Sequence, residues 1–139
     1  MAGIEEVLAL ARKVQANAHA PYSGFRVGAV LEADDGSLHV GCNVENASLG
    51  LTLCAERGAM AAAVAVGRRA FRRLVLVTDG TDPIPPCGAC REFLAEVAPD
   101  VPIVSEASGK RREWRLGELL PLPFELSVEE VRLRGSDDD

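Results

Sequence analysis

Leu74-Val75-Leu76-Val77 is an unbroken apolar run. A strand with one face in water alternates apolar and polar residues, so a continuous run marks a central strand covered on both faces. Helical patterns stand on either side of it. Together they predict an α/β fold: a three-layer α/β/α sandwich around a mixed five-stranded sheet. The length, 139 residues, suits one domain.

The other elements follow from local pattern. Ile4, Val7, Leu8, Ala11, Val14 and Ala18 recur at three- and four-residue steps and predict a helix over about residues 3–18. Pro21-Tyr22-Ser23-Gly24 breaks it. Phe25 to Ala33 reads as a buried strand, Asp34-Asp35-Gly36 as a hairpin turn and Leu38 to Val44 as its partner. A second helix is predicted over about residues 53–66, with Thr52 as N-cap and Gly67 as stop. Its stretch Ala59 to Val66 is almost all Ala, Val and Met, so it is expected to be buried on most sides. A third helix should run from Cys87 to about Val97. Val101 to Ser105 and Arg112 to Leu116 read as an antiparallel hairpin, followed by a short helix from Leu116 to Leu120. Residues 1–134 read as one domain, and Gly135-Ser136-Asp137-Asp138-Asp139 as a disordered acidic tail.

Composition narrows the function classes. A hydrophobic fraction of 47% and a charged fraction of 26% exclude general disorder. No stretch approaches the roughly 18 to 20 apolar residues that span a bilayer, so no membrane partner is expected. The first residues, Met-Ala-Gly-Ile-Glu-Glu, carry acids where a secretory signal carries base, which points to the cytoplasm. Net charge is -6, from 21 acids against 15 bases. Arg68-Arg69, Arg72-Arg73 and Lys110-Arg111-Arg112 are short clusters that read as solvated faces, not a phosphate-binding stripe. Aromatics are only 4%, too few for a base-stacking platform. Nucleic acid is therefore not an expected partner, which leaves a single nucleoside open.

The cysteines carry the chemistry. With no export signal, Cys42, Cys54, Cys87 and Cys90 favour metal or catalytic use over a disulfide framework. Cys54 opens the second helix in Cys54-Ala55-Glu56-Arg57, and Cys87 and Cys90 open the third in Pro86-Cys87-Gly88-Ala89-Cys90-Arg91. One helical turn brings Cys87 and Cys90 to the same side, and helix N-termini favour thiolates. Three sulfur ligands without an evident fourth suggest tetrahedral zinc with one position open for water. Glu56 can reach that position without ligating, and a carboxylate there can shuttle protons. Arg57 and the two helix ends are expected to offset the net negative charge of zinc with three thiolates. Cys42 reads as a small buried hydrophobe, and His19 and His39 as surface residues. A closed structural zinc site or a redox Cys-x-x-Cys is the competing reading.

Cys-Ala-Glu followed by Pro-Cys-x-x-Cys matches the three-cysteine form of the zinc deaminase signature. The chain also has Pro21-Tyr22-Ser23-Gly24-Phe25-Arg26-Val27-Gly28-Ala29, then Asn43-Val44-Glu45-Asn46, and finally Leu119-Leu120-Pro121-Leu122-Pro123-Phe124. Together these resemble the short, homotetrameric class of cytidine deaminases over about residues 4–126. The resemblance implies a cytidine deaminase-like fold and one zinc per subunit on Cys54, Cys87 and Cys90. It also implies hydrolysis of cytidine and 2′-deoxycytidine to uridine and 2′-deoxyuridine with release of ammonia, as in pyrimidine salvage. Glu56 would be the proton shuttle, and Asn43 and Glu45 would bind the ribose 3′-hydroxyl. Phe25 would pack on the nucleoside, the Ala55 N–H would touch the pyrimidine carbonyl, and Phe124 would complete a neighbouring subunit's site. Leu49 departs from the family, where an aromatic is common, as do Gly24 and Gly58. Blasticidin-type deaminases share the three cysteines and the Glu but lack Asn-x-Glu-Asn. A non-catalytic zinc-stabilised interaction protein is the alternative from another class.

Overall fold

The apolar run at Leu74 to Val77 lies wholly buried in the central strand of a sheet. The computed structural model describes residues 2–129 and 131–132. In chain order the elements are α1 (Ile4–Gln15), β1 (Val27–Ala33), β2 (Leu38–Cys42), α2 (Ala55–Ala65), β3 (Phe71–Thr78), α3 (Gly88–Ala95), β4 (Pro102–Ala107), β5 (Lys110–Arg115) and α4 (Leu116–Leu119). A 3-10 turn, Leu49–Leu51, precedes α2. The five strands are ordered β2-β1-β3-β4-β5. β1 is antiparallel to β2 and β3, β3 and β4 are parallel, and β5 returns antiparallel to β4. This is the expected mixed sheet. Among the described residues, no helix is long and apolar enough to cross a membrane.

Strand alternation explains the three layers. Val30, Val75, Val77 and Val104 meet Val7, Leu8 and Ala11 of α1 on one face. Ala29, Leu31, Leu74, Leu76 and Ile103 meet Ala55, Ala59, Met60 and Ala63 of α2 and Leu94 of α3 on the other. Since successive strand residues point to opposite faces, one apolar run serves both cores.

Several boundaries differ from the pattern-based expectation, each for a tertiary reason. α1 stops at Gln15, and the Asn17 N–H turns back to Val14 O (2.9 Å), freeing His19 to bridge Val44. β2 ends at Cys42, and Val44 instead pairs with Leu53 as well as His19. The N-cap of α2 is Cys54, not Thr52, which closes the preceding 3-10 turn. Arg72 and Arg73 are not a solvated face. Arg73 bonds the fully buried Glu32, with Arg72 Nη1 3.6 Å from the same carboxylate, because a buried charge requires a counter-charge. Arg111 likewise joins Glu5 and Glu106. The acidic tail at 135–139 lies outside the described residues.

Two glycines let α2 lie directly on β2. A Cβ at Gly41 would stand 2.3 Å from Ala55 O and 2.5 Å from Ala59 N, so only glycine permits this approach. Gly58 faces it from the helix, but a Cβ there meets Gly41 Cα at 3.7 Å and Leu53 Cδ2 at 3.8 Å, ordinary van der Waals contact. Glycine inside a helix costs about 0.5–1 kcal/mol relative to alanine. Gly58→Ala is therefore expected to stabilise the protein by about that amount, read as a raised Tm in thermal unfolding.

Candidate active site

Cys54 caps the N-terminus of α2 and Cys87 that of α3, both with extended backbone and with no side-chain cap on either helix. The first N–H groups of both helices thus remain for the site, with the positive ends of their dipoles. Cys90 follows in the first turn of α3 and is buried, while Cys87 is exposed. The three Sγ atoms lie within 4.8 Å of one another. Tetrahedral zinc with Zn–S bonds of about 2.3 Å needs sulfurs about 3.8 Å apart, so this donor set fits the ion with little movement. Cys42, half-buried at the end of β2, stands outside the cluster.

Electrostatics support metal binding at the same place. The Cys54 thiol is lowered to about 5, first by the hydrogen bond from Cys90 and then by Arg57, despite partial burial. Arg57 Nη2 donates to Cys54 Sγ (3.6 Å) and to Thr52 O (2.9 Å). The guanidinium is thus placed where a charged sulfur forms. Cys90, which donates to Cys54 and is buried, is pushed up. Glu56 is buried beside them, and that burial pushes its carboxyl up, helped by the Cys54 charge. Such a group holds and releases a proton nearer neutrality than a free carboxylate does.

A cavity of about 340 Å³ joins this centre to the remaining predicted residues. Phe25, Asn43, Glu45, Cys54, Ala55 and Glu56 all line it, with Cys87. Residues 43 and 45 share the cavity through the bridges of Val44 to His19 and Leu53, not through a continuing strand. Asn43 Oδ1 accepts from the Val27 N–H and its Nδ2 donates to Phe25 O, each at 2.8 Å. Glu45 accepts from the N–H groups of Tyr22 (2.9 Å) and Ser23 (3.1 Å) and from the Ser23 hydroxyl, which lowers its pKa. Both side chains therefore fix the segment 22–27 while facing the cavity. Phe124 is elsewhere: it is 72% exposed, and its N–H donates to Glu92 Oε1 at 2.9 Å.

Pattern reading missed Val27, Thr78, Ile84 and Pro85, which also line the cavity. Thr78 had a signal, since it is the first polar residue after the apolar run of β3. Its buried Oγ1 has no hydrogen-bond partner among the described residues.

Three clustered cysteines that fit zinc, beside a buried acid and at the N-termini of two helices on an α/β/α sheet, have the layout of a zinc hydrolase. The model of the cytidine and deoxycytidylate deaminase zinc-binding region matches residues 1–105, and the chain belongs to this family. It is 41% identical over 123 residues to a cytidine deaminase of Sporosarcina psychrophila, covering 87% of this chain and 90% of the relative. Identity to a cytidine deaminase of Halalkalibacterium halodurans is 47% over 109 residues, 77% of this chain and 83% of that protein. The crystal structure of a cytidine deaminase from Burkholderia pseudomallei superposes with a TM-score of 0.85 at 41% identity, covering 88% of this chain and all (100%) of that one.

Proposed function

We propose that this chain hydrolyses cytidine and 2′-deoxycytidine to uridine and 2′-deoxyuridine with release of ammonia, a pyrimidine salvage reaction. The observation that carries the proposal is the shared cavity, in which the thiol cluster and Glu56 meet Phe25, Asn43 and Glu45. Its volume, about 340 Å³, falls in the range of small-molecule sites. The walls suit a neutral nucleoside: the ring of Phe25 for packing, with Asn and Glu for hydroxyl groups.

Zinc on Cys54, Cys87 and Cys90 supplies, when bound, the Lewis acid that makes water nucleophilic near neutral pH. Glu56 takes a proton from the attacking water and delivers it to N3. The C4–O bond forms as the C4=N3 double bond opens onto N3. Glu56 then carries the second proton to the amino group, and the C4–N bond breaks as the C4 carbonyl forms and ammonia leaves. Arg57 holds Cys54 as a thiolate and offsets the charge of three sulfurs. The N–H of Ala55, first residue of α2, lacks an intrahelical acceptor and donates to the pyrimidine carbonyl. Asn43 and Glu45 bind the 3′-hydroxyl, the hydroxyl common to ribose and deoxyribose, and thereby admit both sugars.

Residues 1–134 act as one catalytic domain in the cytoplasm, where thiols stay reduced. The working form is a homotetramer in which Phe124 enters a neighbour's site. Support comes from apolar side chains left outside on one chain: Phe124, Leu122, Leu49 and Leu51 are all strongly exposed. Purified, zinc-loaded protein is expected to release uridine and ammonia from cytidine, and to elute as four chains. A folded, metal-loaded protein that turns over neither cytidine nor deoxycytidine overturns the reading.

A further inference from the structure

Phe25 walls the cavity from a segment that belongs to no helix or strand. An unsupported loop aromatic samples several rotamers, and ordering them on binding lowers affinity. Asn43 and Ser23 hold the Phe25 backbone from the cavity side, at 2.8 Å and 3.0 Å. The opposite side is held from the end of β3. Asp79 Oδ2 accepts from both the backbone N–H (3.0 Å) and Nε–H (3.2 Å) of Arg26, and the Asp79 N–H donates to Arg26 O at 3.1 Å. Gln15 Nε2 joins the group, donating to Arg26 O (3.1 Å) and Asp79 Oδ1 (3.3 Å). The next residue, Gly80, seats the ring itself: a Cβ there would lie 3.4 Å from Phe25 Cε2. Gly80 is in turn held by the Ser108 hydroxyl, which donates to its carbonyl at 2.6 Å.

We propose that Asp79 is a positioning residue that clamps Arg26 and so presents Phe25, seated on Gly80, to the bound nucleoside. Asp79 does not line the cavity, so its effect passes through Arg26 and Phe25. The inference rests on the nucleoside site proposed above. As a partly exposed ion pair, Asp79 and Arg26 add little to global stability, so the effect belongs to substrate affinity.

The test is a double-mutant cycle on the zinc-loaded enzyme with cytidine. Asp79→Ala is expected to raise KM about tenfold, the scale of coupling between touching residues, with kcat held within about twofold. Asp79→Asn, which keeps an acceptor for the Arg26 N–H, should recover most of the affinity. In a Phe25→Ala background the Asp79→Ala change should add nothing to KM, although any change in Tm persists. An equal rise in KM with and without Phe25, or no rise when Phe25→Ala itself weakens binding, overturns the role of Asp79 alone. A parental KM in Phe25→Ala overturns the contact of Phe25 with the nucleoside, and this inference with it, whereas a zinc-loaded parent that turns over neither cytidine nor deoxycytidine overturns the proposed function itself.

Discussion

Glu56→Ala is expected to lower kcat by about 10² to 10⁴, the usual contribution of a positioned proton-transfer group, while zinc content stays at one per chain. The two halves of this outcome have separate causes. The metal is held by Cys54, Cys87 and Cys90, and Glu56 is not a member of that cluster. Among the described residues the other carboxyl on the cavity wall is Glu45, and hydrogen bonds from Ser23 and Tyr22 lower its pKa, so it holds a proton poorly. Turnover by product formation and zinc by elemental analysis settle the point, and loss of zinc with activity would make Glu56 structural.

The raised pKa of Glu56 adds a pH signature in metal-free protein. Burial favours the protonated form, so the folded protein binds this proton more tightly than the unfolded chain. Stability is then complete below the unfolded carboxyl pKa and lost as pH rises through the folded one. Glu56→Gln keeps the shape and cannot ionise. Its Tm should exceed that of the parent at neutral pH in chelator, and the difference should close in acid.

Gly41→Ala is expected to cost roughly 3 kcal/mol or more in stability, together with weakened zinc retention. The atoms a methyl group would strike, Ala55 O and Ala59 N, are helix backbone and cannot rotate away. α2 must lift from β2, and Cys54, Ala55 and Glu56 travel with its first turn. Gly28 provides the control. Its Cβ would stand 2.1 Å from Ala11 O, a clash of the same kind against α1 on the other face. Gly28→Ala should therefore lower Tm while leaving zinc retention unchanged, measured by dialysis against chelator. Equal zinc loss in both variants would show that general unfolding, not displacement of α2, empties the site.

Zinc chemistry was legible in the sequence because metal ligation demands particular side chains at short spacings. Cys87 and Cys90 are one turn apart, and Cys54 and Glu56 open a helix of their own. The layering was legible because Leu74 to Val77 cannot be buried on both sides without helices above and below the sheet. Asn43, Glu45 and Phe25 entered through resemblance to a family, and the fold brings them to the cavity by bridges that no local period announces.

What tertiary structure decided lies between residues distant in the chain. Thr52 has the side chain of an N-cap, yet the pairing of Leu53 with Val44 shifts the helix start to Cys54. Arg73 resembles a surface base until Glu32, 41 residues away, is buried beneath it. Gly41 looks like any glycine until α2 is laid against it. Asp79, Arg26 and Gln15 come from the bend after β3, a loop and α1, and meet only after the sheet has set its register. Ligand type and periodicity are properties of neighbouring residues, and a sequence carries them directly. Close approach and buried charge pairing are properties of packing, which arise only when the elements have been assembled.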